Sequence, residues 1–305
     1  MDELAQRRWR AGWPVDLLGT LGPLLRGAGD PAHRITPAGE FWWACATPEG
    51  AATLALRVDG DAVQARGWGA GAAWLLDRVP QLVGADDDWS GLDLSTNDML
   101  REVRRRRPGL RLSRTGLVLD VLVPAVLEQR VTGQEARRAW RGLVYRYGTP
   151  APGPAAQELR VPPSAAALLA IPTWEWHRLG VDAQRVRTIR AAATVATRLE
   201  ECTELDPDAA LARLRHVPGV GEWTAAETAQ RALGHPDAIS VGDYHLKDLV
   251  VQFFTGRARG DDAEMCDLLA PWAGQRQRVV RLIELSGVRK QRFGPRFAPN
   301  DIRLI

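Results

Sequence analysis

"RLRHVPGVGEWTAAETAQRAL", residues 213–233, sets a proline and two glycines, Pro218, Gly219 and Gly221, between two stretches of good helix formers. The second stretch resumes at once on Glu222-Trp223-Thr224. So short a break predicts two helices joined by a tight turn in which both glycines are free to take positive φ. The amides of the turn and of the next helix's first residues then face outward together, with no partner inside the helix. With the field of the helix dipole they make an anion site that suits a phosphate. A plain turn between two helices fits the same four residues, so the flanking sequence has to decide.

Twenty residues past Trp223, in "ISVGDYHLKDLVVQFF" (239–254), Asp243 stands after a glycine and before an apolar helix. Its commonest role there is an N-cap, and a cap can also be a catalytic carboxylate.

The remaining sequence narrows the function classes. At 305 residues and 45% hydrophobic, the chain can bury one large core or two domain-sized ones. Of its 40 Lys and Arg only Lys247 and Lys290 are lysines. Arginine suits bidentate phosphate contacts, but its abundance alone does not make a nucleic-acid site. Three scattered cysteines, Cys45, Cys202 and Cys266, exclude a four-cysteine zinc or iron–sulfur centre and give no disulfide framework. The N-terminus has no apolar leader segment, and no window holds eighteen consecutive apolar residues, which points to a cytoplasmic protein. No GxGxxG unit, Walker loop or metal-spaced histidine pair is present, so neither a metal nor a cofactor is expected.

Residues 41–69 alternate as three strands with turns at Pro48-Glu49-Gly50 and Asp59-Gly60-Asp61. An apolar helix over 72–84 and an acidic linker over 85–95 follow. Thr96 and Asp98 are expected to start a helix that runs into the arginines at 104–107 and ends at Pro108-Gly109. "TGLVLDVLVPAVLEQRV" (115–131) is apolar nearly all round and reads as a buried central helix. Thr132 with Glu135 forms a capping box, and Asp182 and Asp206-Pro207 open two further helices. The fold class is therefore mainly α, a helical bundle over 93–305 preceded by a small α+β domain with an antiparallel sheet over 1–92.

Together "LRHVPGVGEWTA", "VGDYHLK", "LVPAVLEQRVTGQEARRAW" and "LLAPWAGQRQRVVRLI" resemble the helix-hairpin-helix DNA glycosylase superfamily across roughly residues 93–290. Within it the chain is most similar to the bacterial 3-methyladenine DNA glycosylase II group. The resemblance implies that Pro218, Gly219, Val220, Gly221 and Thr224 grip the backbone of double-stranded DNA containing damaged bases, and that Asp243 is catalytic. It implies a base pocket built from Trp223, Tyr244, Trp272 and Glu227, the last standing where the enteric member of the group has a tyrosine. Gln129 or Arg130 would fill the hole that base flipping leaves, with the neighbouring Val131 as a third choice. Cation–π attraction to the aromatic residues would favour positively charged N3- and N7-alkylated purines. The bifunctional branch carries a nucleophilic lysine at the position of Trp223, so a monofunctional hydrolase is implied, working as a monomer at the nucleoid. The alternatives are a non-catalytic helix-hairpin-helix DNA-binding protein and a glycosylase for another lesion class.

Overall fold

The computed structural model describes residues 4–155 and 158–289. Lys290 and the outer ends of the two expected domains lie outside them.

Five strands form one antiparallel sheet: β1 (Ala5–Arg10), β2 (His33–Ile35), β3 (Phe41–Thr47), β4 (Gly50–Asp59) and β5 (Ala62–Trp68), in the order β1-β5-β4-β3-β2. The central three are the expected meander, with Thr47 paired to Gly50 and Asp59 to Ala62 across the turns. The two edge strands were not foreseen. β1 reads "AQRRWR", and its inward positions Ala5, Arg7 and Trp9 are only half-buried, so an arginine-rich edge hides the period-two signal. Phe41, Trp43, Leu54 and Leu56 pack beneath α1 (Leu17–Leu21), α2 (Ala72–Asp77) and α3 (Val79–Leu82). The single helix expected over 72–84 divides at Arg78, because the Pro80 ring cannot continue a regular helix past the carbonyl four residues earlier.

The bundle comprises α4 (Asp98–Arg106), α5 (Val118–Leu127), α6 (Gly133–Tyr147), α7 (Ala165–Ala170), α8 (Thr173–Arg178), α9 (Ala183–Thr194), α10 (Ala196–Glu200), α11 (Pro207–Arg215), α12 (Glu222–Ala232), α13 (Leu246–Thr255), α14 (Asp262–Leu269) and α15 (Arg276–Leu285). The capping box at Thr132 and Glu135 and the caps at Asp182 and Asp206 form as expected. At α4 the cap is Asn97, whose side chain accepts from the Leu100 amide, rather than Thr96 or Asp98. The 104–107 arginines are largely occupied. Arg104 covers the Trp89 ring and donates to three carbonyls, Arg105 and Arg106 pair with Glu102, and Arg107 pairs with Asp16. The acidic 85–95 stretch is pinned rather than free: Trp89 and Leu94 are buried, and Asp87 joins Arg278 at 2.6 Å and accepts from the Leu112 amide at 2.6 Å.

α5 is buried along most of its length, so its free N-terminal amides need a buried acceptor. Glu200 supplies it, accepting from the amides of Val118 at 2.7 Å and Leu119 at 2.9 Å. Asp30 fixes the sheet to α6 by accepting from Trp140 Nε1 and the Ala32 amide beside His33. Burial opposes its ionised form, but His33, Trp140 and Ala32 outweigh burial and hold its pKa at about 2. Among the described residues no helix is long and apolar enough to cross a membrane.

Asp120, on the first turn of α5, faces a 140 Å³ cavity that Glu200 and Trp140 also line. Burial drives its pKa up to about 6, His33 and Arg26 opposing and Glu200 and Asp30 adding. The folded protein therefore keeps this proton to about pH 6 whereas an unfolded aspartate releases it near pH 4. Folding takes up a proton in that window, and Asp120 weakens the fold increasingly as pH rises through it. Asp120→Asn is expected to stabilise by about 1–3 kcal/mol at pH 7.5 and by little at pH 4. Urea melts at the two pH values check this, and equal gains at both would overturn it.

Candidate functional site

The break at 218–221 is a helical hairpin between α11 and α12. Val217 and Val220 are buried and anchor it, while Pro218, Gly219 and Gly221 face solvent. The two glycines serve different ends. Gly219 has φ +89°, and a Cβ there would fall 1.9 Å from Thr188 Oγ1 on α9. Gly221, expected at positive φ, is extended instead, at φ −87° and ψ −174°. A Cβ on Gly221 would meet open space, so any constraint on its size comes from what approaches it. Gly221 is the N-cap of α12, and the amides of the helix's first turn, Glu222 to Thr224, have no intrahelical partner by geometry. Thr224 itself is buried, and its hydroxyl accepts from Gln129 Nε2 at 2.8 Å.

Gln129 also donates to the Gly219 carbonyl at 3.0 Å, so its side chain joins the α5–α6 turn to the hairpin and is not free to leave. Arg130, next along, is exposed and holds φ +55°, the one positive-φ residue other than glycine among those described. The turn thus points an arginine outward at a small backbone cost.

Asp243 is half-buried and held on three sides. Its Oδ1 accepts from the amides of His245 at 2.7 Å and Leu246 at 2.8 Å, capping α13, and its Oδ2 accepts from Trp223 Nε1 at 3.1 Å. The hairpin's tryptophan thus orients the aspartate directly. Lys247, one turn on, donates its Nζ to the Asp243 carbonyl at 3.4 Å.

Asp243 also lines a cavity of about 610 Å³. Its walls come from the segment around α1, the 111–113 stretch, α12, the start of α13, and α15. Of the other expected pocket residues, only Glu227 faces it. Glu227 accepts from Ser240 Oγ at 2.5 Å and pairs with Arg231 at 2.8 Å. Trp272 is a core residue, stacked on Phe254 at 5.6 Å and donating to the Asp93 carbonyl at 2.6 Å. Tyr244 is 62% exposed and meets the His245 ring edge-on. The expected aromatic pocket is therefore not what lines the cavity: its wall carries three arginines, Arg111, Arg231 and Arg281, with Glu227, Glu284, Gln230 and Gln277. The α1 region was not foreseen there. It enters because Arg281 donates to the Gly19 carbonyl and Arg231 to the Pro23 carbonyl, contacts across more than 200 residues that no local signal announces. The two tryptophans of α8 part company, with Trp176 in the core and Trp174 outside under Arg178.

No family model matches the chain. A 3-methyladenine DNA glycosylase from Archaeoglobus fulgidus superposes with a TM-score of 0.74 at 16% identity, covering 92% of this chain and 98% of that one. The apo 8-oxoguanine glycosylase/lyase of Clostridium acetobutylicum gives 0.71 at 10% identity, covering 94% and 99%. The chain therefore has the fold of these two glycosylases. Its sequence is 33% identical over 175 residues to a probable bifunctional transcriptional activator/DNA repair enzyme AlkA of Mycobacterium tuberculosis, 56% of this chain. The chain spans about a third of that relative's length.

This glycosylase fold separates the two glycines experimentally. Gly219→Ala is expected to cost about 1–3 kcal/mol of stability, from a strained φ and the clash with Thr188. Gly221→Val should leave stability nearly unchanged and, if a duplex phosphate seats on these amides, weaken binding to damaged and undamaged duplexes alike, because a backbone contact reads no sequence. Denaturant melts and fluorescence titrations measure both, and unweakened binding by a folded Gly221→Val would reduce the hairpin to a turn.

Proposed function

We propose that this protein is a monofunctional DNA glycosylase that excises alkylated bases. The observation that carries the proposal is the Asp243 carboxylate, fixed by the indole of the hairpin's own tryptophan at the wall of a cavity large enough for a base. In this reading the outward amides at Gly221 to Thr224 hold one phosphate, which sets the register of the duplex against the cavity. Arg130 occupies the space of the extruded nucleotide, and Gln129 braces its turn against the hairpin. Extrusion costs a few kcal/mol, least for a damaged base that already stacks or pairs poorly.

Asp243 then acts on the sugar. As the N-glycosidic bond lengthens, its electron pair leaves with the base and positive charge develops on the deoxyribose ring, which the carboxylate stabilises. The same carboxylate orients water toward the sugar carbon and takes up its proton. Alkylation of a ring nitrogen makes the base a better leaving group, so no strong general acid is required. Trp223 replaces a lysine nucleophile with a hydrogen-bond donor, and an indole forms no Schiff base.

Asp243→Asn is expected to lower base release from methylated duplex DNA at least 100-fold, measured by mass spectrometry of the free bases, with affinity for abasic-site DNA within a few-fold of wild type. Near-normal release would remove Asp243 from the chemistry. Borohydride should trap no covalent protein–DNA adduct, and an adduct that disappears in Lys247→Ala would make the enzyme bifunctional.

A further inference from the structure

Arg104, in the last turn of α4, and Arg111, just past that helix, stand side by side and bond in one pattern. Each spends only Nη1 on the protein: Arg104 donates it to the carbonyls of Arg107, Pro108 and Leu110, and Arg111 to those of Pro108 and Leu110. Both therefore grip the same two carbonyls. Each guanidinium also rests on an indole, Arg104 on Trp89 at 4.3 Å and Arg111 on Trp13 at 5.2 Å. The turn beneath them is fixed, since a Cβ on Gly109 would fall 2.1 Å from the Pro14 carbonyl.

With Nη1 tied and one face covered, what remains of each guanidinium is its Nε–Nη2 edge. Neither edge bonds to a described residue, and neither is sealed inside the protein. No described carboxylate forms an ion pair with either arginine: Asp87 is taken by Arg278, Trp89 and the Leu112 amide, and Asp88 by Ser90. Burial and then the charge of Arg111 lower the pKa of Arg104 to about 10, with Asp87 opposing. Burial lowers that of Arg111 as well, Asp87 and Asp88 opposing and Arg278 adding. Two half-buried cations at close quarters are costly without a counter-ion, and an anion held between them relieves that cost.

We propose that Arg104 and Arg111 form a phosphate-binding site at the seam between the sheet domain and the bundle, a site that stands whether or not the chain excises bases. The Nε–Nη2 edge of an arginine carries two parallel N–H groups that match two oxygens of one phosphate. Two such edges hold it from both sides. Because Arg111 also lines the cavity that Asp243 faces, a duplex phosphate bound here fixes the backbone at a second point besides the hairpin amides. A free phosphate offers the same chemistry.

Duplex affinity is measured by fluorescence anisotropy between about 50 and 200 mM salt for wild type, Arg104→Gln, Arg111→Gln and the double variant. With a duplex phosphate in the site, each single variant makes the plot of log Kd against log salt shallower by about 0.9, and the double variant loses no more, because both arginines share one phosphate. A change confined to one of them overturns the shared site. Arg105→Gln, next to Arg104 and paired with Glu102, is expected to change the slope far less, and an equal change would reduce the effect to general loss of charge and overturn the site. In parallel, the arginine Nε–H signals of wild type are followed by NMR as inorganic phosphate is added. Unchanged slopes with two saturably shifting signals, both absent from the double variant, assign the site to a free phosphate. Unchanged slopes without such shifts overturn the proposal. Where a glutamine variant does not fold, the lysine variant replaces it. Lysine keeps the charge but lacks the fork, so about 5-fold weaker binding of duplex or inorganic phosphate is expected, and undiminished binding of both overturns the site.

Discussion

The whole arrangement depends on the burial of α5. A helix apolar on nearly every face gains from being surrounded, but its terminal amides and carbonyls then lie away from water and must be met by groups from elsewhere. Glu200 meets them at the N-terminus, and at the C-terminus Arg185 of α9 donates to the Leu127 carbonyl at 2.9 Å. Arg185 is held in turn by Asp182, the N-cap of its own helix. That fixes α9, whose Thr188 lies directly beneath Gly219. The line continues through the hairpin to Trp223 and from its indole to Asp243. A solvation problem at the end of a core helix thus ends by setting the position of the carboxylate.

The cavity wall follows a related logic. Ion pairs such as Arg231 with Glu227 are expensive to bury, and removing one partner from such a pair costs about 3–5 kcal/mol. Once formed, they hold long side chains in one geometry. Arg231 is fixed at both ends, by Glu227 and by the Pro23 carbonyl, so the wall keeps its shape without a ligand.

What could be read in the sequence was what is local. The hairpin stands out because proline and glycine interrupt two helices within four residues, and the caps at Thr132, Asp182 and Asp206 announce themselves by residue type and spacing. The central meander was legible from its alternation, whereas β1 was not, because arginines at an exposed edge mask the pattern. Asp243 is conspicuous for its glycine and the apolar helix that follows, but nothing nearby says that a tryptophan twenty residues earlier would donate to it. The core position of Trp272 was hidden for the same reason, since its partners Phe254 and the Asp93 carbonyl are set by tertiary packing alone.

The meeting of α1 with α15 has a consequence for biosynthesis. Gly19 and Pro23 are made more than 200 residues before the arginines that grip their carbonyls, and Arg281 belongs to the last helix described. Until α15 has been made, the cavity lacks one side, and the nascent chain carries the hairpin without a closed chamber behind it. The cavity therefore closes in one step, when α15 docks against the α1 segment.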